Sequence, residues 1–231
     1  MTRKDPPVKT VPHAVPLPRT WDARAARWLV TPLADTPVTP NHLTTVRLAI
    51  GLAGAFYLAR GGFAQVNIGA LLIVLSNFVD HTDGELARIS GKTSRIGHFY
   101  DLAADALVTV LLFLGMGCGL ARQMPAADWR VPPQVLGGAA GVAVALIFFL
   151  RMRIEEMAGK AGTRQAFVGG FETEDVLYLL PLVTLTGVVA PFVAVASIGA
   201  PLFALWVVFD YWRVARRNGA AKAARQMWIG R

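Results

Sequence analysis

Four aspartates at fixed intervals are the most chemically suggestive feature of this chain. Residues 80–88 read Asp80-His81-Thr82-Asp83-Gly84-Glu85-Leu86-Ala87-Arg88, and after eight more residues come Gly97, Asp101 and Asp105. On a continuous helix, positions 80, 83, 84, 87 and 88 form one stripe, and positions 97, 101 and 105 form a matching stripe on the next helix. A short Ser/Gly/Lys-containing turn joins the two, so the helices are expected to be antiparallel neighbours with their acids near one depth. Converging carboxylates repel and are costly to desolvate, and divalent cations resolve that cost. Oxygen-only ligands favour Mg²⁺, Mn²⁺ or Ca²⁺ over Zn²⁺. Gly84, Ala87 and Gly97 clear space on the same stripes for a flat or phosphorylated ligand, and Arg88 adds a fixed positive charge. A lone acidic pair would be a solvated face, and small residues alone would mark helix packing. Their coincidence on two adjacent helices marks a binding site.

These stripes need a scaffold, and composition identifies it. The 231 residues are 54% hydrophobic with a mean hydropathy of +0.46, and only 16% are charged, against about 25% in soluble domains. Runs such as Ala49–Ala59, Ile68–Val79 and Val135–Leu150 place no charge on either face, so lipid or protein must surround them. Backbone groups in lipid must pair within their own segment, which makes these runs helices. The expected fold is therefore an all-α integral membrane protein with six transmembrane helices, at 42–60, 64–82, 97–120, 133–152, 175–189 and 191–212. Pro181, Gly187 and Pro191 interrupt the fifth. No apolar core followed by a small-residue cleavage site precedes the first span. The single Cys118 lies in an apolar run and reads as a small buried hydrophobe.

Charge orients the bundle. Of 23 Lys and Arg residues, Arg60, Arg122 and Arg130 alone fall on one side; the rest lie in the tail, the 83–96 loop, the 151–174 loop and the C-terminus, or, for Arg47, just inside the first span. That asymmetry places both termini and the acidic motif at the cytoplasmic face of the cell (inner) membrane. The net charge of +8 is read as this topology signal plus attraction to anionic lipid, not as nucleic-acid binding. Before the first span, Trp21, Ala25, Trp28 and Leu29 share one helical face, with Thr20 as N-cap and Pro32 near the end. This pattern predicts an amphipathic helix in the interface. The expected organisation is a disordered Pro-rich tail (1–18), the juxtamembrane helix (19–33), a six-span domain (39–218) and a basic cytoplasmic tail (219–231).

The motif resembles the signature of the CDP-alcohol phosphotransferase (CDP-alcohol phosphatidyltransferase) family: Asp-x2-Asp-Gly-x2-Ala-Arg-x8-Gly-x3-Asp-x3-Asp, with every fixed position present. Pro40-Asn41-His42-Leu43-Thr44-Thr45-Val46-Arg47 is also similar to the start of that family's first span, and the resemblance extends over roughly 20–215. It implies an enzyme of phospholipid synthesis that transfers a substituted phosphate from a CDP-linked alcohol, such as CDP-diacylglycerol, to a small polar alcohol and releases CMP. Two Mg²⁺ or Mn²⁺ ions among Asp80, Asp83, Asp101 and Asp105 would bridge the pyrophosphate. Asp105 is the expected general base. The resemblance places Asp83, Gly84, Ala87, Arg88 and Gly97 around the CDP moiety, and it implies a homodimer.

The acceptor is less sharply marked. Arg151 and Arg153 are candidate acceptor-binding residues, with Arg164 nearby, although plain positive-inside charge explains them equally well. The acidic stretch Phe171-Glu172-Thr173-Glu174-Asp175 departs from a basic pocket for a phosphorylated acceptor and keeps a neutral polyol or amino alcohol open. His81 and His98 point off the stripes and are not expected to be ligands. Asn77 reads as a helix–helix hydrogen bond or a nucleotide contact. Thr44 and Arg47 could reach the site from the first span, and Arg47 could equally snorkel. The alternatives are a CDP-linked polar donor with a lipid acceptor, or a cation-dependent transporter. The latter would prefer repeated halves and a midplane site.

Overall fold

The computed structural model describes residue 18 and residues 20–124, 130–158 and 177–229, with side chains through 218. Among the described residues every regular element is helical: α1 (Trp21–Val30) with a 3-10 turn (Thr31–Leu33), α2 (Pro40–Arg60), α3 (Phe63–Ser90), α4 (Arg95–Gln123), α5 (Pro133–Ala158), α6 (Leu180–Leu185) and α7 (Val189–Ile229). Five of these, α2, α3, α4, α5 and α7, are long and apolar enough to cross a membrane. Their bounds contain the expected spans, and α3 and α5 run well beyond them, as charged residues at one end of each helix allow. Residues 1–17 of the expected tail (1–18) lie outside the described residues, and so do Arg164, Glu172, Glu174 and Asp175.

The expected fifth span is described only from residue 177: a 3-10 turn at 177–179, then α6, then a turn at Gly187 in the left-handed region (φ 72°). Tyr178 donates its hydroxyl to Asp22 Oδ2 of α1 at 3.1 Å, and Thr184 Oγ1 donates to Asn67 Oδ1 of α3 at 2.8 Å.

Close helix approach shapes the centre of the bundle. α2 lies between α3 and α4, packing along both, while α3 and α4 scarcely touch. Small residues make this possible. A Cβ on Gly51 would meet Val108 and Ser76, one on Gly54 would meet Ile73 and the Gly69 carbonyl, and one on Gly119 would strike the Leu58 carbonyl. With apolar solvent on the outside, such backbone proximity gains dispersion that larger side chains would forfeit. The core around Leu58, Ile73, Leu112 and Met116 fills the level beyond the acids, and a second cluster of Leu150, Ile154, Ala204 and Val207 joins α5 to α7. Apolar side chains such as Val195, Ile198, Leu205 and Phe209 remain exposed on α7, as expected of a lipid-facing surface.

α1 forms within the expected 19–33, and Trp21, Trp28 and Leu29 of its expected apolar face are exposed. Asp22, Ala23, Ala26 and Val30 are buried on the side of α1 that packs against α3, while Trp21, Trp28 and Leu29 point away, Trp28 being 81% exposed. Thr20 occupies the N-cap position without a capping bond from its side chain; its hydroxyl bonds the Asp22 carboxylate instead.

Candidate functional site

The acids meet where α2 separates α3 from α4. Asp80 and Asp83 come from α3, Asp101 and Asp105 from α4, and Arg47 of α2 enters between them. Its Nη1 lies 2.8 Å from Asp80 Oδ1 and donates to Asp105 Oδ1 at 2.5 Å; its Nη2 donates to the Asp101 carbonyl and to Asp101 Oδ1, both at 2.8 Å. Nε lies 3.6 Å from Asp83 Oδ2, buried and without a hydrogen bond of its own. Ser76 holds this turn of α2 by donating to the Arg47 carbonyl at 2.8 Å. The guanidinium fork suits the task because five donors diverge from one plane.

Exposure grades across the cluster. Asp83 is 6% exposed and accepts a 2.8 Å hydrogen bond from Thr44 Oγ1, whereas Asp105 is 46% exposed. Oxygens of Asp80, Asp101 and Asp105 all lie within 4.8 Å of one another, close enough to share an ion. Asp83 stands beside this triad, tied to Thr44. The donor set fits Mg²⁺ or Mn²⁺: it is all oxygen, and one guanidinium cannot offset four carboxylates at this burial.

A pocket of about 270 Å³ opens next to the cluster. Asp83, Gly84, Ala87 and Arg88 line it from α3, Gly97, His98 and Asp101 from α4, Pro40, Asn41 and Thr44 from α2, and Lys92, Thr93 and Ser94 from the connecting turn. All five residues expected around CDP therefore share one cavity. The two glycines serve different ends. A Cβ on Gly84 would meet nothing within 4 Å, so Gly84 leaves open space toward the pocket; one on Gly97 would lie 2.7 Å from Asn41 Oδ1 and 2.9 Å from Ser94 Oγ. Gly97 thus admits the Asn41 side chain and the cap that starts α4, in which Ser94 Oγ accepts from Gly97 N at 2.9 Å.

Local structure fixes the mouth of this pocket. α3 ends at Gly91 with φ 68°, a left-handed conformation that glycine adopts without strain. Lys92 then turns its ammonium onto the carbonyls of Ala34 (3.1 Å), Thr36 (2.5 Å) and Val38 (3.2 Å), pinning the α1–α2 connection. Arg88 pairs with the buried Glu85, which Arg27 of α1 also reaches.

Other sequence candidates fall elsewhere. Arg151 lies over the Phe203 and Trp206 rings at 5.6 and 6.0 Å and Arg153 pairs with Glu156; neither lines the pocket. His81 Nε2 lies 2.8 Å from Asp22 Oδ2 of α1, facing that helix rather than the acids, without hydrogen-bond geometry. His98 borders the pocket, and the Asn77 side-chain nitrogen is buried without a partner among the described residues. Of the two alternatives the sequence left for Arg47, reaching the site or snorkelling to the interface, the structure shows the first, and Thr44 reaches Asp83 from the same helix.

Comparison with known proteins supplies the context. A family model described as CDP-alcohol phosphatidyltransferase matches residues 37–212. The "Bifunctional IPC transferase and DIPP synthase" of Rubrobacter xylanophilus is 32% identical over 169 residues, which cover 73% of this chain and 35% of that protein. The chain thus spans about a third of the length of that relative. Two crystal structures of the Mycobacterium tuberculosis phosphatidylinositol phosphate synthase share the fold. The one with CDP-DAG bound has a TM-score of 0.55 at 22% identity, covering 84% of this chain and 94% of that one. The one in complex with manganese and citrate has a TM-score of 0.53 at 22% identity, covering 85% and 88%.

Proposed function

The chain belongs to the CDP-alcohol phosphatidyltransferase family, a family of transferase enzymes, and from that premise we propose that it moves a substituted phosphate from a CDP-linked lipid to a small polar alcohol, releasing CMP. One observation carries this reading: a pocket lined by Gly84, Ala87, Arg88 and Gly97 opens onto a carboxylate cluster that could hold a divalent ion. A nucleotide in the former sets its pyrophosphate beside the latter.

Each residue then has a task. Gly84 and Ala87 admit the cytidine, and Arg88 binds a phosphate oxygen. Asp80, Asp101 and Asp105, with Asp83 alongside, would hold Mg²⁺ or Mn²⁺, two ions by charge. Bound there, the metal supplies Lewis-acid stabilisation of the pyrophosphate and of the departing CMP. Asp105 is the most exposed of the four, and it takes the proton of the acceptor hydroxyl. The alkoxide forms a new P–O bond to the substituted phosphate as the P–O bond to CMP breaks. Arg47 keeps Asp105 and Asp101 oriented while the acids are crowded.

The site faces the cytoplasm in this reading, because Arg60 and Arg122 lie at the opposite helix ends. The contacts of Tyr178 and Thr184 support a sixth crossing that ends at Gly187, bringing both termini to the site side. α1 lies in the interface with Trp21, Trp28 and Leu29 toward lipid, and two copies assemble as a homodimer. The test supplies purified protein in mixed micelles with CDP-diacylglycerol and, in turn, inositol, inositol phosphate, glycerol phosphate, serine and choline, with lipid products identified by mass spectrometry. One acceptor giving a new phospholipid supports the reading. No lipid product with any acceptor, while a CDP-linked polar alcohol is consumed, would reverse donor and acceptor.

A further inference from the structure

Glu85 has no role in the site as described, yet it is 1% exposed and joins two arginines of different elements. Its Oε2 accepts from Arg27 Nε of α1 at 2.6 Å, and its Oε1 accepts from Arg88 Nη1, one turn along α3. Each carboxylate oxygen therefore holds one arginine. Arg88 itself is 63% exposed at the pocket. On an open helix surface, a pair spaced three residues apart is weak, and both side chains sample several rotamers. Burial changes that. A buried carboxylate with both oxygens occupied keeps one orientation, and losing one arginine frees an oxygen that must find a new donor.

We propose that Glu85 is a positioning residue through which α1 fixes Arg88 toward the phosphates of the bound nucleotide. The inference rests on the reading of the pocket as a CDP site. In this arrangement Arg27 sets Glu85, Glu85 sets one Nη of Arg88, and the remaining guanidinium donors stay directed at the ligand. A second close approach between the same helices sets His81 Nε2 of α3 2.8 Å from Asp22 Oδ2 of α1. The helix whose tryptophans face away from the protein is thus also the support of a phosphate-binding arginine.

The experiment measures CDP affinity by calorimetry in detergent with Mn²⁺, together with steady-state kinetics, for wild type, Arg88→Ala, Arg27→Met, Glu85→Gln and Arg27→Met/Arg88→Ala. Arg27→Met is expected to weaken CDP binding roughly tenfold, raising KM for the donor while kcat stays within about twofold. The double variant is expected to bind no more weakly than Arg88→Ala, since both changes remove one interaction. Arg27→Lys, which keeps the charge, is expected to restore most of the affinity. A wild type that does not bind CDP overturns the CDP reading and the inference with it. Binding by wild type that is weakened in Arg88→Ala but unchanged in Arg27→Met, or additive in the double variant, overturns the inference alone. Glu85→Gln, compared at a thermal midpoint near that of wild type, is expected to weaken CDP binding as Arg27→Met does, and unchanged affinity would overturn the inference.

Discussion

At the scale of single residues, the site depends on how four negative charges are kept together. Asp105 combines ion-pairing to Arg47 with the greatest exposure of the four, which suits a group that must meet a substrate hydroxyl. Asp105→Asn should lower turnover by about 100- to 10,000-fold while CDP affinity, read by calorimetry, changes little. Turnover near wild type would remove Asp105 as the base. Arg47→Met leaves the acids without their buried partner and should cost about 3–5 kcal/mol. The thermal midpoint in detergent should fall and should recover more on Mn²⁺ addition than that of wild type does. A midpoint equal to wild type without metal would mean that Arg47 does not hold the cluster. The glycines should part company. Gly84→Ala should keep or raise the midpoint, since glycine inside a helix costs about 0.5–1 kcal/mol relative to alanine, yet weaken CDP binding. Gly97→Ala should lower the midpoint, because its Cβ would strike Asn41 and Ser94. The opposite pattern would reverse the roles assigned to them.

At the scale of elements, the sequence was legible wherever periodicity or composition governs. Uninterrupted apolar runs announced α2, α3, α4, α5 and the start of α7, and the aspartate spacing placed the acids on α3 and α4. The insertion of α2 between those helices was not legible, because it arises from glycine contacts at Gly51, Gly54 and Gly119 that depend on three-dimensional register. The choice between the two alternatives for Arg47 was not legible for the same reason, since a lone arginine near a span's end has the same signature whether it snorkels or enters the bundle. Likewise, Asp22 and Glu85 look like the polar face of an amphipathic segment, and only tertiary partners reveal their burial. Burial pushes the Asp22 carboxyl up, but the Thr20 hydroxyl, His81, the Ala23 N–H and the Tyr178 hydroxyl outweigh it and hold it below the ordinary value of 3.8. A depressed value stabilises the fold above the unfolded pKa, and that contribution disappears as pH falls through the folded one. Asp22→Asn should therefore lower the thermal midpoint at pH 7, with the gap from wild type narrowing as pH drops below 3.8. A gap independent of pH would show that the ionised form is not what anchors α1.

At the scale of the whole molecule, orientation and reaction must agree, because CDP-linked donors and Mg²⁺ are cytoplasmic. Arg130 and the Lys92–Ser94 turn should lie on opposite sides of the membrane. With Cys118 replaced by Ser, a cysteine at position 130 should react with an impermeant maleimide added outside intact cells, and one at 93 should react only after permeabilisation. The reverse would invert the bundle. If the acidic cluster and the adjoining pocket form one metal-dependent transferase site, CMP release by the purified protein from CDP-diacylglycerol, with an acceptor from the panel, should require both acceptor and Mg²⁺ or Mn²⁺, stop with EDTA and be lost in Asp105→Asn. Acceptor-dependent release that persists in EDTA or in Asp105→Asn would mean that the cluster is not the metal-dependent centre of the reaction.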